Sequence, residues 1–180
     1  TTDTHALEAG SFLKALRGDC TEDMLDQFTK QIVHLDLDIL YTVGGNGTQT
    51  AAHGIAQQLQ AVEPRPLIVA GSKTMDNDLN FTDVTFGFRT TVDNAHEVIR
   101  RLHADAQTLN RLAIVELFGA KSGFVALHSA YASGEVDYVL IPEMMDDPQV
   151  ELELCVKRLA HRLDKNQHAV LVVAEGASQM

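Results

Sequence analysis

The sequence predicts an α/β protein with a doubly wound, mostly parallel sheet and helices on both faces. Short apolar runs of strand length alternate with longer stretches in which apolar residues recur at helical spacing. Four of the apolar runs end in polar or glycine-rich loops. Because alternating strands and helices build βαβ units, whose strands are parallel, this order of elements indicates the fold class.

The first element is an amphipathic helix that opens at Thr21. Thr21 is an N-cap candidate, and Glu22 and Asp23 place acids in the first turn. The predicted apolar face of this helix comprises Met24, Leu25, Phe28, Ile32 and Val33. The remaining predicted helices are TQTAAHGIAQQLQAV, TVDNAHEVIRRLHADAQTL, SGFVALHSAYASG and VELELCVKRLAHRLD. The predicted strands are LDILYTV, PLIVAG, RLAIVEL, VDYVLIP and HAVLVVAEG.

Composition limits the function classes. The chain has 180 residues and a net charge of −11, which disfavours nucleic-acid partners. Its two cysteines, Cys20 and Cys155, lie far apart, which favours a reducing compartment, and we expect the cytoplasm. The sequence shows neither a membrane span nor a signal peptide. We expect one α/β unit over residues 1–180, the central segment of a longer chain.

Ligands of such sheets gather where strands end, so the loops there should carry the chemistry. GGNGT follows Val43 and is either a phosphate-binding loop or only a tight strand-to-helix turn. SKTMDNDLNFTD places Asp76 and Asp78 two residues apart, with Lys73 nearby. This spacing suits a general base beside a metal or phosphate, and it equally suits an Asx turn with solvated acids.

Taken together, these loops resemble those of the phosphofructokinases. GGNGT resembles GGDGT, SKTMDNDL resembles PKTIDNDI, and TFGFRTTVDNA resembles SFGFDTAVEEA. The segment from VELFGAKSGFVAL to IPE is similar to the family's ELMGRxSGFIA segment and its IPE, and VVAEGASQ is similar to VVAEGAGQ. The resemblance extends from about Gly44 to Gln179, with several unusual strings in register.

The resemblance implies a glycolytic reaction in which ATP or pyrophosphate phosphorylates the 1-hydroxyl of fructose 6-phosphate with Mg²⁺ bound. Asp76 falls on the family's general base, and Arg111 on an arginine that reaches the sugar 6-phosphate across a subunit boundary. The other substrate-binding residues implied are Thr74, Asp78, Phe118, Gly119 and Glu175. A homo-oligomer, a dimer or tetramer, is implied because the family shares its sugar site between subunits.

The donor side is implied in the same way. The donor-phosphate residues would be Gly44, Gly45, Gly47, Thr48 and Lys73. Gly47 favours ATP, because most pyrophosphate users of the family carry an aspartate there. Lys73 accompanies pyrophosphate use but also occurs in the plant-like ATP-dependent branch that the chain otherwise resembles. We therefore expect ATP as the co-substrate.

Three residues depart from the family pattern. Asn46 replaces the metal-associated aspartate and loses its charge, so magnesium affinity should drop. Ala120 replaces an arginine that neutralises the transferring phosphoryl group. Lys121 follows it, but we expect its side chain to point away from that turn. Ser72 replaces a proline, a milder change in loop rigidity.

Three hypotheses remain open from the sequence. The first is an ATP-dependent 6-phosphofructokinase, or a kinase of a related sugar phosphate. The second, favoured by Asn46 and Ala120, is a weakened or regulatory relative that keeps the sugar-phosphate pocket as an effector site or serves as a partner subunit. The third is another nucleotide-binding α/β domain, which leaves the DND loop unexplained. The eight histidines lack metal-ligand spacing, so we expect no zinc site.

Overall fold

The computed structural model describes residues 21–178, and the chain divides into two compact units. The first unit is Thr1–Lys73 and the second is Thr74–Met180. Their described parts are residues 21–73 and 74–178. The expectation of one α/β unit over residues 1–180 stays a prediction.

The first unit has two parallel strands packed against two helices. Its elements are α1 (Glu22–His34), β1 (Ile39–Gly44), α2 (Asn46–Gln58), a 3₁₀ turn (Leu59–Ala61) and β2 (Leu67–Thr74), the last residue of which begins the second unit. Ile39 of β1 is in register with Leu67 of β2, and Gly44 is in register with Ser72. Four buried side chains form the core between the helices, Phe28, Ile32, Ile55 and Leu59. β1 therefore ends beside Ser72, two residues before β2 ends at Thr74.

The N-cap of α1 agrees with the sequence pattern, whereas its buried face differs from the predicted apolar face. Thr21 is the N-cap, and its Oγ1 accepts a hydrogen bond from the backbone N–H of Met24 at 3.4 Å. The prediction that Val33 belongs to the buried face was wrong, since Val33 is 45% exposed. Thr29 is buried instead, because its hydroxyl donates to Gln58 Oε1 on α2 at 2.7 Å. A polar side chain thus occupies the buried face where its partner lies across from it.

The second unit is a parallel sheet between two layers of helices. Its elements are β3 (Phe86–Gly87), α3 (Phe88–Leu109), β4 (Leu112–Leu117), α4 (Phe124–Ser133), β5 (Tyr138–Leu140), a 3₁₀ turn (Pro142–Met144), α5 (Pro148–Asn166), β6 (Ala169–Ala174) and α6 (Glu175–Ser178). The strand order is β4-β6-β5, and both pairings are parallel. The predicted α/β class with parallel strands is therefore confirmed.

The central strand β6 supplies both cores of this unit. Alternate side chains point to opposite faces of a strand. Val170 and Val172 pack with Ile99 of α3 and Ala126 of α4, whereas Leu171 packs with residues of α5. Helices accordingly cover both faces of the sheet, and this explains why HAVLVVAEG is apolar without alternation. Among residues 21–178, no helix combines the length and apolar character that crossing a membrane requires.

All five predicted strands are present, and within residues 21–178 one strand was missed. The missed strand is β3, which has only two residues. Neither an alternating pattern nor an apolar run can develop over two residues, so the periodicity of the sequence carried no signal for it.

Tyr138 of β5 forms a hydrogen bond that makes stability depend on pH. Its hydroxyl donates to Glu151 Oε1 on α5 at 2.5 Å. This bond, with a smaller effect of burial, raises the pKa of Tyr138 to about 12. A raised pKa favours the protonated phenol in the folded state, so its contribution is complete below pH 10 and is lost as the pH rises through about 12.

We predict that Tyr138→Phe removes this pH dependence. Above pH 10 the free energy of unfolding of the wild type should decline more steeply than that of the variant, which is about 1 kcal/mol less stable at neutral pH. Urea unfolding at pH 8, 10 and 11 measures the difference. Tyr131→Phe is the matched control, because Tyr131 is 89% exposed. Parallel pH profiles for wild type and Tyr138→Phe would contradict the assignment.

Candidate functional site

The turn after β1 consists of one residue. Gly44 ends β1, Gly45 is the N-cap, and α2 begins at Asn46. Gly47 and Thr48 therefore lie in the first turn of a helix and not in a loop. Gly44 has to be glycine, because a Cβ there would overlap the Thr48 side chain. Gly45 offers no side-chain cap, so the first backbone N–H groups of α2 keep the partial positive charge that suits an anion.

Gln49 is a positioning residue that the sequence analysis missed. Its Nε2 donates to the carbonyl oxygens of Gly44 and Gly71, both at 2.9 Å. It thereby joins the end of β1 to β2 at Gly71, two residues before Lys73. No motif marked it, because glutamine in a first helical turn is ordinary until its partners on two strands are seen.

Asn46 gives only a partial fit to magnesium. Its side chain is exposed at the start of α2 and offers a neutral amide oxygen. Within residues 21–178, no group of three or more His, Cys, Asp or Glu side chains is arranged to hold a metal ion. Mg²⁺ sites of kinases usually combine one or two carboxylates with substrate phosphates, and Asn46 does not supply such a carboxylate.

In the second unit, the loop that carries Asp76 is closed by its own hydrogen bonds. Thr74 Oγ1 accepts from the backbone N–H of Asp76 at 3.2 Å and lies 3.5 Å from its Oδ2. Asn77, in the left-handed region with φ of 54°, accepts from Thr85 N at 2.8 Å and donates to the carbonyl oxygen of Asp83 at 3.2 Å. Thr85 Oγ1 donates to Thr74 O at 2.7 Å. These Asn77 bonds reach backbone groups six and eight residues on, so they brace the loop around Asp76 and are not an Asx turn, which spans two residues.

Two hydrogen bonds link this loop to the loop after β4, and that loop in turn to α6, which follows β6. Ser122 Oγ donates to Asp76 O at 3.1 Å. Gly119 has φ of 143°, and its carbonyl oxygen accepts from Gly176 N at 2.9 Å. Three segments of the second unit that follow strands are therefore linked, the Asp76 loop, the loop after β4 and α6.

A cleft of about 540 Å³ opens beside the Asp76 loop. Asp78 and Lys121 are both in its wall, together with Ser122 and Glu143. Glu143 Oε1 accepts from Gly123 N at 2.8 Å, at the N-terminus of α4. Lys121 lines this cleft, and the direction in which its side chain leaves the turn stays a prediction. The hydrogen bond from Ser122 Oγ to Asp76 O joins the segment that carries Lys121 to the base loop.

The other predicted sugar-site residues are distributed along two strands. Phe118 follows β4 and is 63% exposed, and Glu175 follows β6 directly. Arg111 precedes β4, so it lies about 20 Å from Phe118 at the opposite edge of the sheet, where it pairs with Asp105. Within one chain Arg111 does not join the cleft, and its role across a subunit boundary stays a prediction.

The sequence comparisons point to one family over the whole chain. The sequence profile described as phosphofructokinase matches residues 1–180. The chain is 36% identical over 179 residues to an ATP-dependent 6-phosphofructokinase of Entamoeba histolytica, covering 99% of this chain and 39% of that protein. It is 42% identical over 155 residues to the ATP-dependent 6-phosphofructokinase of Mycobacterium leprae, covering 85% of this chain and 42% of the relative. The chain thus spans about two fifths of these curated relatives.

Solved structures agree with this result. The structure of Pichia pastoris phosphofructokinase in the T-state superposes with a TM-score of 0.71 at 26% identity. The superposition covers 87% of this chain and 18% of that chain. The parallel sheets and their strand-end loops therefore have counterparts in a much larger protein.

Proposed function

The chain belongs to the phosphofructokinase family, and from that premise we propose that the longer protein transfers the γ-phosphoryl group of ATP to the 1-hydroxyl of fructose 6-phosphate. The relatives named ATP-dependent support ATP as the donor, as does Gly47. Pyrophosphate is the alternative donor, because Lys73 is compatible with both. We further propose a cytoplasmic homo-oligomer.

The observation that carries the proposal is the bracing of Asp76. Its backbone N–H donates to Thr74 Oγ1, and its carbonyl oxygen accepts from Ser122 Oγ. The carboxylate is therefore held on a fixed backbone beside a cleft. A sugar hydroxyl is a weak nucleophile at neutral pH, and a carboxylate in hydrogen-bond reach assists most as the proton leaves. Asp76 is therefore the proposed general base.

The remaining residues take supporting roles in this proposal. Thr74, Asp78, Phe118, Gly119 and Glu175 would contact the sugar phosphate. Arg111 would reach the 6-phosphate of a neighbouring subunit. The donor phosphates would lie against the uncapped start of α2, with contacts from Gly44, Gly45, Gly47, Thr48 and Lys73.

The test is a coupled assay on the full-length protein with fructose 6-phosphate, Mg²⁺ and either ATP or pyrophosphate. We expect formation of fructose 1,6-bisphosphate with ATP. Absence of turnover with both donors, together with measurable binding of fructose 6-phosphate, would reject the kinase proposal.

A second candidate is a catalytically weakened or regulatory member of the family. It is favoured by Asn46 and Ala120, both exposed, which lack the charges that the family places there. If those two changes alone disable the protein, Asn46→Asp combined with Ala120→Arg should raise turnover and lower the Mg²⁺ concentration needed for half-maximal rate. A double variant as inactive as the parent would place the defect elsewhere.

A further inference from the structure

We infer that Lys121 supplies the positive charge that stabilises the phosphoryl group during transfer, in place of a side chain at position 120. Ala120 has no charge to offer, and Lys121 is the next residue along the same turn. This inference rests on the proposed function. It assigns to one residue of this chain the role that the chain would otherwise lack.

The charged side chains that line the cleft are mostly acidic. Among the described residues that line it, Lys121 is the cation, whereas Asp78, Asp83 and Glu143 are acids. Three carboxylates around an incoming phosphate produce repulsion, so one positive charge has a large effect on where an anion can sit. Lys121 is the lining side chain that can attract a phosphoryl group.

The turn that carries Lys121 contacts the loop of the proposed base. Ser122, its neighbour, donates through Oγ to Asp76 O at 3.1 Å. Consecutive Cα atoms are about 3.8 Å apart, so the backbone of Lys121 lies next to the point where its turn contacts the base loop. At its other end the turn is held by Gly119 O, which accepts from Gly176 N at 2.9 Å. The lysine side chain therefore leaves a turn that is fixed on both sides.

The ammonium group of Lys121 is available to an incoming phosphate. Among residues 21–178, Lys121 takes part in none of the ion pairs, which join other side chains. Lys121 is exposed and flexible, so its head can follow the phosphoryl group as charge develops. Arg111, by contrast, is paired with Asp105 at the opposite edge of the sheet.

The step that Lys121 would assist balances without another reagent. The 1-hydroxyl oxygen of the sugar forms a bond to the γ-phosphorus of ATP, and its proton passes to the Asp76 carboxylate. The bond between the γ-phosphorus and the bridging oxygen breaks, and its electron pair leaves with ADP. The ammonium group of Lys121 stays protonated and stabilises negative charge on the phosphoryl oxygens.

The experiment compares Lys121→Met and Lys121→Arg in the full-length protein. We expect Lys121→Met to lower kcat about 100-fold while KM for fructose 6-phosphate changes less than about threefold, because the charge acts mainly in the transition state. Lys121→Arg should retain kcat within about tenfold. Adding Ala120→Arg to Lys121→Met should recover at least about tenfold in kcat, which a purely structural role of Lys121 would not produce.

The control is Lys157→Met, which removes the same charge from an exposed position on α5. A kcat of Lys121→Met within about threefold of wild type, or an equal loss in Lys157→Met, would overturn the inference. If the wild type itself turns over neither ATP nor pyrophosphate, the proposed function fails separately. The inference about Lys121 is then tested by calorimetric measurement of fructose 1,6-bisphosphate binding. The same Kd for wild type and Lys121→Met would also overturn the inference.

Discussion

Asp76→Asn is expected to lower kcat of the full-length protein about 100- to 10,000-fold, the usual contribution of a general base. The substitution keeps the shape of the side chain and removes its capacity to take the hydroxyl proton. Both backbone hydrogen bonds of Asp76 remain, because Thr74 and Ser122 contact its N–H and carbonyl. The loss should therefore appear in kcat, with binding of fructose 6-phosphate largely retained.

The control for this prediction is Asp164→Asn, the same change in charge at an exposed position on α5. Steady-state kinetics of both variants should be measured beside thermal unfolding, to show that the Asp76 loop is intact. Asp76→Asn that retains more than about a tenth of wild-type kcat would be inconsistent with Asp76 as the base.

Gly119→Ala is expected to be the most disruptive small substitution in the described part of the cleft region. Gly119 has φ of 143°, which L side chains rarely adopt, and a Cβ there would overlap the carbonyl oxygen of Ser122. Both the positive φ and the overlap with Ser122 O involve the backbone, so the turn itself would have to move. That turn carries Lys121 and the contact of Ser122 with Asp76. We expect a loss of about 3 kcal/mol or more in the free energy of unfolding, with a collapse in kcat.

Gly134→Ala separates the cost of a positive φ from the cost of the overlap with Ser122. Gly134 also has a positive φ, 65°, but a Cβ there would meet nothing within 4 Å. It should cost about 1 kcal/mol, the conformational part alone, and leave kcat unchanged. Denaturant unfolding of the two variants measures the difference. Equal destabilisation would show that the collision with Ser122 is relieved without cost.

Elements with strong periodicity were predictable, and those that depend on contacts were not. The buried strand HAVLVVAEG and the helix opening at Thr21 carry local signals, a continuous apolar run and a capping residue, which the structure confirms. Val33 was assigned wrongly because the limits of a buried face are set by the neighbouring helix, here through the bond between Thr29 and Gln58. Strand β3 is too short to carry any periodicity.

The candidate site divides in the same way. The strand-end loops were predictable, because parallel strands place their carboxyl ends at one edge of a sheet. The two strand residues that Gln49 joins, Gly44 and Gly71, are far apart in sequence, so its role becomes visible only once β1 and β2 are paired. The contact between the turn that carries Lys121 and the base loop likewise depends on a hydrogen bond between residues 46 positions apart, Ser122 and Asp76.

The hydrogen bond from Gly176 N to Gly119 O separates the shape of the loop after β4 from its chemistry. Both partners are main-chain atoms, so neither the bond nor the fold around it depends on the side chains at positions 118 and 120. Phe118 and Ala120 can therefore differ from the family's methionine and arginine while the turn keeps its path. A loop held in this way can exchange its reactive side chains one at a time, and its function can diverge before its architecture does.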